Sequence, residues 1–239
     1  MTTNLNAHSN VVSRAEWLSA RKQLLAAEKL LTRQRDEIDR RRRELPWVKV
    51  EKDYRFQGRE GETTFTGVFA GRRQLVVYHF MFGPDWEKPC KSCSFWADGF
   101  NGIGAHLAQR DTRLVAISRA PLAKLDARAK TMGWTFPWYS SEGSDFNYDF
   151  GVSFRPEDFS RGPVEYNYEP RATKMTDLPG MSTFVREGDE IYHTYSCFSR
   201  GLDMMNPAYQ ILDLTAFGRQ EEGLPFAMAW VKLRDEYAA

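Results

Sequence analysis

Two apolar runs with a cysteine pair and a helix-like segment between them constrain the fold more than any other feature of this chain. The first run is Leu75-Val76-Val77-Tyr78-His79-Phe80-Met81-Phe82. Cys90-Lys91-Ser92-Cys93 comes next, then Ser94-Phe95-Trp96-Ala97-Asp98, then the second run, Leu114-Val115-Ala116-Ile117. Strand, turn with C-x-x-C, helix, strand is the setting in which a cysteine pair reads as a thiol–disulfide redox site. Pro121 suits the first turn of a second helix, expected to run to about Met132 and to stop at Gly133. Strand, helix, strand, helix at these lengths implies a parallel strand pair with a right-handed crossover.

The rest of the composition narrows the setting. With 239 residues, 42% of them hydrophobic and 14% aromatic, the chain can bury a sizeable core in one large domain with appendages. A net charge of +1 gives no global field favouring nucleic acid or membrane, and neither is expected as a partner. Three cysteines are too few, and odd in number, for a secreted disulfide framework. Met1 to Asn10 is polar and lacks the apolar core of a signal peptide. The run at Leu75–Phe82 is far short of the roughly 20 residues a membrane helix needs. The expected compartment is the cytoplasm, where a C-x-x-C is more often catalytic or metal-binding than a structural disulfide.

Along the chain, residues 1–12 read as a disordered tail and residues 13–45 as a helical arm. Ser13 and Glu16 have capping-box spacing. Trp17, Leu24, Leu31, Ile38 and Leu45 recur every seven residues, a narrow stripe on a charged helix that Pro46 ends. A second row of Ala20 and Ala27 is broken by Gln34 and Arg41. The stripe fits a dimerisation arm or a helix lying across its own domain, and a homodimer is expected. Arg40-Arg41-Arg42-Arg43 complements the negative end of the helix dipole, which accounts for it better than nucleic acid does. Residues 46–239 form the main domain. Short strands are expected around Val48–Phe56 and Thr64–Phe69, a helix over 94–110, and an edge strand at Phe136–Tyr139. Residues 153–180 carry four prolines and no clear period, which reads as a long surface insertion. A hairpin follows at Thr183–Arg186 and Glu190–Tyr195. A final helix is expected to hold Phe226, Trp230, Leu233 and Tyr237 on one face.

This order of elements resembles the thioredoxin-like superfamily, especially its peroxiredoxin-like branch. More closely, the chain resembles a bacterial family of unassigned function described only as predicted dithiol–disulfide oxidoreductases. The carrying strings are Tyr78 to Trp86, Cys90 to Gly99, Ser118-Arg119-Ala120-Pro121, Gly133 to Trp138, Ser144 to Phe150, and Tyr195 through Gly201. The resemblance spans most of residues 13–220. It implies an α/β fold with a central mixed sheet flanked by helices, the peroxiredoxin-like variant, preceded here by a long N-terminal helix. One departure stands out. Thioredoxins place a cis-proline beside the cysteine pair, and here Ser182 occupies the equivalent position, with Pro179 three residues too early.

Thiol–disulfide exchange needs one thiolate to attack and a second thiol to resolve the mixed disulfide. Cys90 is the candidate attacking thiol and Cys93, one turn into the helix, the resolving one; a protein or small-molecule disulfide is the expected substrate, with no cofactor. Helix N–H groups stabilise the thiolate there. Lys91 adds nearby positive charge. Arg119, at the same strand-end edge, is a candidate for binding an anion or favouring the thiolate, or else for a salt bridge. Trp96, Trp134 and Trp138 are candidates to wall a substrate cleft, or else core. Asp98 is a weaker candidate proton shuttle, and His79 reads as a hydrogen-bonded core histidine. A second reading is a zinc site built from Cys90, Cys93, His193 and Cys197. A third is a catalytically silent binding scaffold on the same fold. Peroxide reduction is a minor alternative, because Glu87 stands where peroxiredoxins carry threonine or serine three residues before the reactive cysteine.

Overall fold

The computed structural model describes residues 11–237. Of the tail expected over 1–12, residues 1–10 lie outside the described residues, while Val11 and Val12 are exposed and without regular structure. The chain divides into two compact units, Met1–Pro46 and Trp47–Ala239.

The first unit is helix α1 (Arg14–Arg43). Its start is fixed by a reciprocal cap: Ser13 Oγ accepts from the Glu16 N–H at 3.3 Å, and the Glu16 carboxylate accepts from the Ser13 N–H at 2.9 Å. Arg40 to Arg43 fill the last turn, where cations complement the carbonyl end. Glu37 accepts hydrogen bonds from Arg40 and Arg41, so the basic run is partly neutralised within the helix. No residue of α1 is buried, and Trp17, Leu24, Leu31 and Ile38 of the seven-residue row are exposed.

The second unit begins with strands β1 (Val48–Lys49), β2 (Arg55–Gly58) and β3 (Gly61–Thr64), and helix α2 (Phe65–Val68). Strand β4 (Gln74–His79), helices α3 (Lys91–Ala97) and α4 (Gly104–Ala108), strand β5 (Thr112–Ser118) and helix α5 (Leu122–Met132) follow. Then come β6 (Trp138–Ser140), α6 (Phe146–Asp149), α7 (Pro156–Ser160), β7 (Val164–Tyr166) and β8 (Glu169–Arg171). The last elements are β9 (Gly180–Glu187), β10 (Glu190–Phe198) and α8 (Pro207–Leu212).

Eight strands form one sheet in the order β1-β10-β9-β4-β5-β6-β2-β3, and β7 and β8 pair separately. β4, β5 and β6 are mutually parallel; β9 runs antiparallel to β4, and β10 antiparallel to β9. The succession β4-α3-β5-α5-β9-β10-α8, with strands side by side as β10-β9-β4-β5, is the thioredoxin-like arrangement. β4 is central and buried on both faces, as its nearly continuous apolar sequence requires. Alternation along it separates two cores. Tyr78, Ala116, Trp138 and Met181 pack with Cys93 and Trp96 on one face. Leu75, Val77, Val115, Ile117 and Phe184 pack with Phe65 and Phe146 on the other.

Several local expectations fail for identifiable reasons. The helix expected over 94–110 is split into α3 and α4, because Gly102 takes φ +84° and Gly99 lies so close to Pro207 that a Cβ there would stand 2.7 Å from its ring. Residues 65–68 are helical rather than extended: Thr64 Oγ1 accepts from the Gly67 N–H at 3.1 Å, and Phe65, Val68 and Phe69 share one buried side. The strand near Phe136–Tyr139 begins at Trp138, after Pro137, and lies between β5 and β2 rather than at an edge. The insertion carries α7 and the β7–β8 hairpin, with a small core of its own around Val152, Phe154, Val164, Leu178 and Phe198. No helix holds Phe226 to Tyr237. Met228 takes φ +66°, and Val231 and Leu233, two apart, are the buried residues while Phe226, Trp230 and Tyr237 are exposed.

Candidate active site

β4 ends at His79, and residues 80–89 carry the chain from the sheet to α3 in a pinned loop. The Phe80 N–H donates to Ile117 O, the Ala120 N–H to Phe82 O, and the Cys90 N–H to Met81 O at 3.0 Å. Lys124 Nζ ties the loop from outside, donating to Pro84 O at 2.6 Å and Trp86 O at 3.0 Å. These bonds place Cys90 at the N-cap of α3, where its Sγ accepts from the Cys93 N–H at 3.4 Å. The Cys90 carbonyl accepts from the Ser94 N–H and from Ser94 Oγ, both at 3.0 Å. Cys93 is buried one turn on, its carbonyl accepting from Tyr78 Oη at 3.4 Å, while Cys90 is half-buried.

This geometry separates the two thiols chemically. The hydrogen bond from the Cys93 thiol leads in bringing Cys90 down to about 7; burial opposes it, and the Cys93 and Ser92 backbone N–H groups and the Ser92 side chain assist. Cys93 is pushed well up, first by burial and then by its bond to Cys90 and the negative charge there. Ionisation is thus favoured at Cys90 and opposed at Cys93. No disulfide joins any of the cysteines among the described residues.

The supporting residues named from sequence are placed differently. Lys91 Nζ donates to Ala229 O at 3.1 Å and stands 5.7 Å from the Phe226 ring centroid, so the C-terminal segment holds it. Arg119 is spent on a partly buried clamp, with Nε and Nη2 on the two Asp177 oxygens at 2.8 and 2.6 Å and Nη1 on Tyr148 Oη at 2.7 Å. Its salt-bridge reading, rather than anion binding, is the one this geometry fits. Trp96, Trp134 and Trp138 are core residues: their indole N–H groups donate to Leu202 O, Asp98 Oδ1 and Ser118 Oγ. Asp98 caps the far end of α3 and also receives Arg234, away from the cysteines.

The strand register shows where the remaining candidates face. Ser182 pairs with Val77 inside β9, and it is Met181, paired with Tyr78, that turns toward the cysteines. Ser182 is thus not a stand-in for a cis-proline beside Cys90, and no cis peptide occurs among the described residues. Cys197 pairs with Met181 and packs on the cysteine-side core, whereas His193 pairs with Phe184 on the opposite face. The four residues of the alternative zinc site are not brought together, and no group of three or more His, Cys, Asp or Glu positioned for a metal occurs among the described residues.

Two tyrosines that sequence reasoning passed over sit at this site. Tyr78 bridges β4 to the Cys93 carbonyl, and burial pushes its hydroxyl far up. Tyr166, from the insertion, donates to Pro179 O at 2.7 Å and accepts from the Ser199 N–H at 3.0 Å. Burial lifts it to about 12, with further contributions from the charges of Cys93 and Cys197. Tyr78 was readable as a strand residue facing the helix; Tyr166 lies in a stretch with no periodic signal.

No helix among the described residues is long and apolar enough to cross a membrane. Comparison with solved structures finds similarity to the peroxidoxin BcpB from Mycobacterium tuberculosis, at 16% identity over 65% of this chain and 86% of that one, with a TM-score of 0.45. Peroxiredoxin Q from Xanthomonas campestris is similar at 15% identity, covering 66% and 89%, TM-score 0.45. A putative protein disulfide isomerase from Bacteroides thetaiotaomicron is similar at 18% identity, covering 64% and 82%, TM-score 0.40. No curated protein matches. Residues 6–237 match the family described as "Bacterial protein of unknown function (DUF899)", and the chain belongs to that family.

Proposed function

We propose that the protein is a thiol–disulfide oxidoreductase in which Cys90 attacks and Cys93 resolves. The observation that carries this reading is the hydrogen-bonded pair at the start of α3, one thiol half-buried and depressed to about 7, the other buried and raised. The Cys90 thiolate attacks one sulfur of a substrate disulfide, forming a mixed disulfide and releasing the other sulfur as a thiolate that takes up a proton. Cys93 then loses its proton and attacks Cys90 Sγ. This closes the Cys90–Cys93 disulfide and releases the second substrate thiol. Two electrons pass from the dithiol to the substrate, and the reverse sequence oxidises a substrate dithiol.

Alkylation of the reduced protein across pH, read by intact mass and peptide mapping alongside metal analysis, tests the assignment. Cys90 is modified first with a midpoint near pH 7, and Cys93 follows only on denaturation. Thiols that are all inert until denaturation, with no metal bound, leave the scaffold reading; stoichiometric zinc lost on mutating Cys197 or His193 establishes the metal reading.

We infer in addition that α1 pairs with the same helix of a second copy. A row repeating every seven residues along a 30-residue helix has the period that two wound helices share. Leu24→Asp with Leu31→Asp in the full chain should convert a sedimenting dimer to monomer. A protein that already sediments as monomer before substitution ends this inference.

A further inference from the structure

The loop that delivers Cys90 to α3 is nearly bare of bonds of its own. It leaves the sheet where the Ala120 N–H donates to Phe82 O at 2.8 Å, and it rejoins the fold where the Cys90 N–H donates to Met81 O at 3.0 Å. Gly83 to Pro89 make a free excursion between those two points. Pro84 and Pro89 have no N–H to donate. Among the described residues, the backbone–backbone hydrogen bond inside the excursion is Trp86 N–H to Gly83 O, at 3.2 Å. A segment with so few bonds opens easily unless something else ties it down. The sulfur at its end depends on position: Cys90 Sγ accepts from the Cys93 N–H at 3.4 Å, so a small displacement weakens the bond.

Lys124, in the first turn of α5, supplies the missing hold. Its Nζ donates to Pro84 O at 2.6 Å and to Trp86 O at 3.0 Å. The side chain is half-buried, and among the described residues it forms no ion pair. Asp85 lies between the two carbonyls in sequence, yet it is exposed and does not bond to Lys124. An ammonium drawn out of water onto two backbone carbonyls, with a carboxylate next to them left aside, serves geometry and not charge. Trp86 stiffens the same turn. Its ring lies so near Gly83 that a Cβ there would stand 2.8 Å from Nε1, and it packs against the cysteine-side core. A further tie from outside, Lys88 to Glu236, joins two exposed side chains and holds little.

We propose, on the thiol–disulfide reading of the cysteine pair, that Lys124 is a positioning residue for the dithiol: by clamping the Pro84 and Trp86 carbonyls it keeps the Cys90 sulfur on the N–H donors at the start of α3. Those donors, the Cys93 and Ser92 backbone groups, belong to α3, while the loop that brings the sulfur to them is set from α5. Ionisation of Cys90 is then a property of tertiary structure and not of the C-x-x-C alone. Without the clamp the excursion slackens and the sulfur moves off its donors. Burial, which already opposes the charge on Cys90, then gains weight. Lys91, although next to Cys90 in sequence, bonds to Ala229 O and takes no part in holding the loop.

Alkylation of the full-length protein with iodoacetamide across pH, read by peptide mapping at Cys90, tests this role. The unaltered protein should show a midpoint near 7. Lys124→Met should raise it by about one pH unit, toward the free-thiol value of about 8.5, and should slow alkylation at pH 7 about fivefold as the thiolate fraction falls. At about pH 10, where the thiol is ionised in both, the two rates should agree within about twofold. Lys124→Arg can still donate to both carbonyls and should recover most of the shift. Gly83→Ala displaces the Trp86 ring but leaves the Lys124 charge in place, and should raise the midpoint in the same direction even if Lys124→Met fails to fold. Circular dichroism reports whether each variant folds. The shift should persist in about 1 M salt, where charges are screened beyond about 3 Å. An unchanged midpoint in folded Lys124→Met or in folded Gly83→Ala, or a shift that vanishes in salt, would overturn the positioning role and leave the thiol–disulfide reading standing. A Cys90 that is inert in the unaltered protein would overturn both.

Discussion

The two faces of the central sheet handle buried polarity in opposite ways. On the cysteine face the polar groups stand outside the sheet at the first turn of α3, where backbone N–H groups reach the Cys90 sulfur. On the other face His79, Ser182, Ser196 and His193 lie within the strands and reach chiefly one another, side chain to side chain, with His193 bonded also to the Tyr195 backbone. Burial opposes charge on both faces. It is overruled at Cys90, where the Cys93 thiol and several helix-start donors favour the thiolate together. At Cys93, one turn deeper, burial and then the bond to Cys90 and its charge outweigh the Met81 backbone and Tyr78 donors, and at His79, behind the sheet, burial leads. Donor geometry, more than depth, divides a reactive group from a silent one in this fold.

The largest effect that sharpens this contrast comes from Cys90→Ser. Exchange with oxidised glutathione, followed by intact mass, should fall roughly a hundredfold or more, because the remaining thiol at Cys93 is buried and protonated. Cys197→Ser should stay within about twofold, since Cys197 is not among the groups that tune Cys90. If Cys90→Ser still forms a glutathione adduct at Cys93 at a comparable rate, the division between the thiols is drawn at the wrong residue.

The same contrast explains what the sequence disclosed. Strand, cysteine pair, helix and strand were legible because local signals agree: an unbroken apolar run for β4, the C-x-x-C, then Pro121 and Gly133 bounding α5. The far face was hidden because its organising event is one extra residue, Thr194, which leaves no mark on composition yet reverses the facing of everything after it in β10. Ser182 was misassigned for a related reason. Its position just before Thr183-Phe184-Val185 suggested a place beside Cys90, while the register with Val77 puts it behind the sheet. Arg119 and the three tryptophans were located correctly along the chain. Their partners, Asp177, Leu202, Asp98 and Ser118, are set by tertiary contacts that no spacing encodes.

The next effect in size tests the silent face through acid. His79 is lowered from 6.5 to about 3 by burial, with the His193 charge adding to it. A folded value below the unfolded one means that the neutral ring stabilises the protein fully above about pH 6.5. That contribution is lost as pH falls toward 3, because the unfolded chain takes up the proton first. The full shift corresponds to on the order of 5 kcal/mol. Urea melts should show stability falling between pH 6.5 and 4.5, above the range where most carboxylates titrate. His79→Leu should be less stable than the unaltered protein at pH 7, because Ser182 loses a partner, and should show a much flatter slope below it. An equal slope in both would assign the acid sensitivity elsewhere, and the far face would lose its claim to a buried neutral histidine.

The smallest effect lies at the seam where the insertion meets the cysteine face. Tyr166→Phe removes a hydroxyl that donates to Pro179 O, just ahead of β9, and accepts from the Ser199 N–H, just after β10. Two backbone groups lose their partner, at a cost of about 1–3 kcal/mol, read as a lower thermal midpoint. The hydroxyl is neutral near pH 7, since burial lifts it to about 12, so it contributes no charge to the dithiol. The Cys90 alkylation midpoint should therefore stay near 7 while the melting temperature falls. A midpoint that moves with Tyr166→Phe would make the insertion part of the thiol chemistry, and the contrast between the faces would no longer rest on the start of α3 alone.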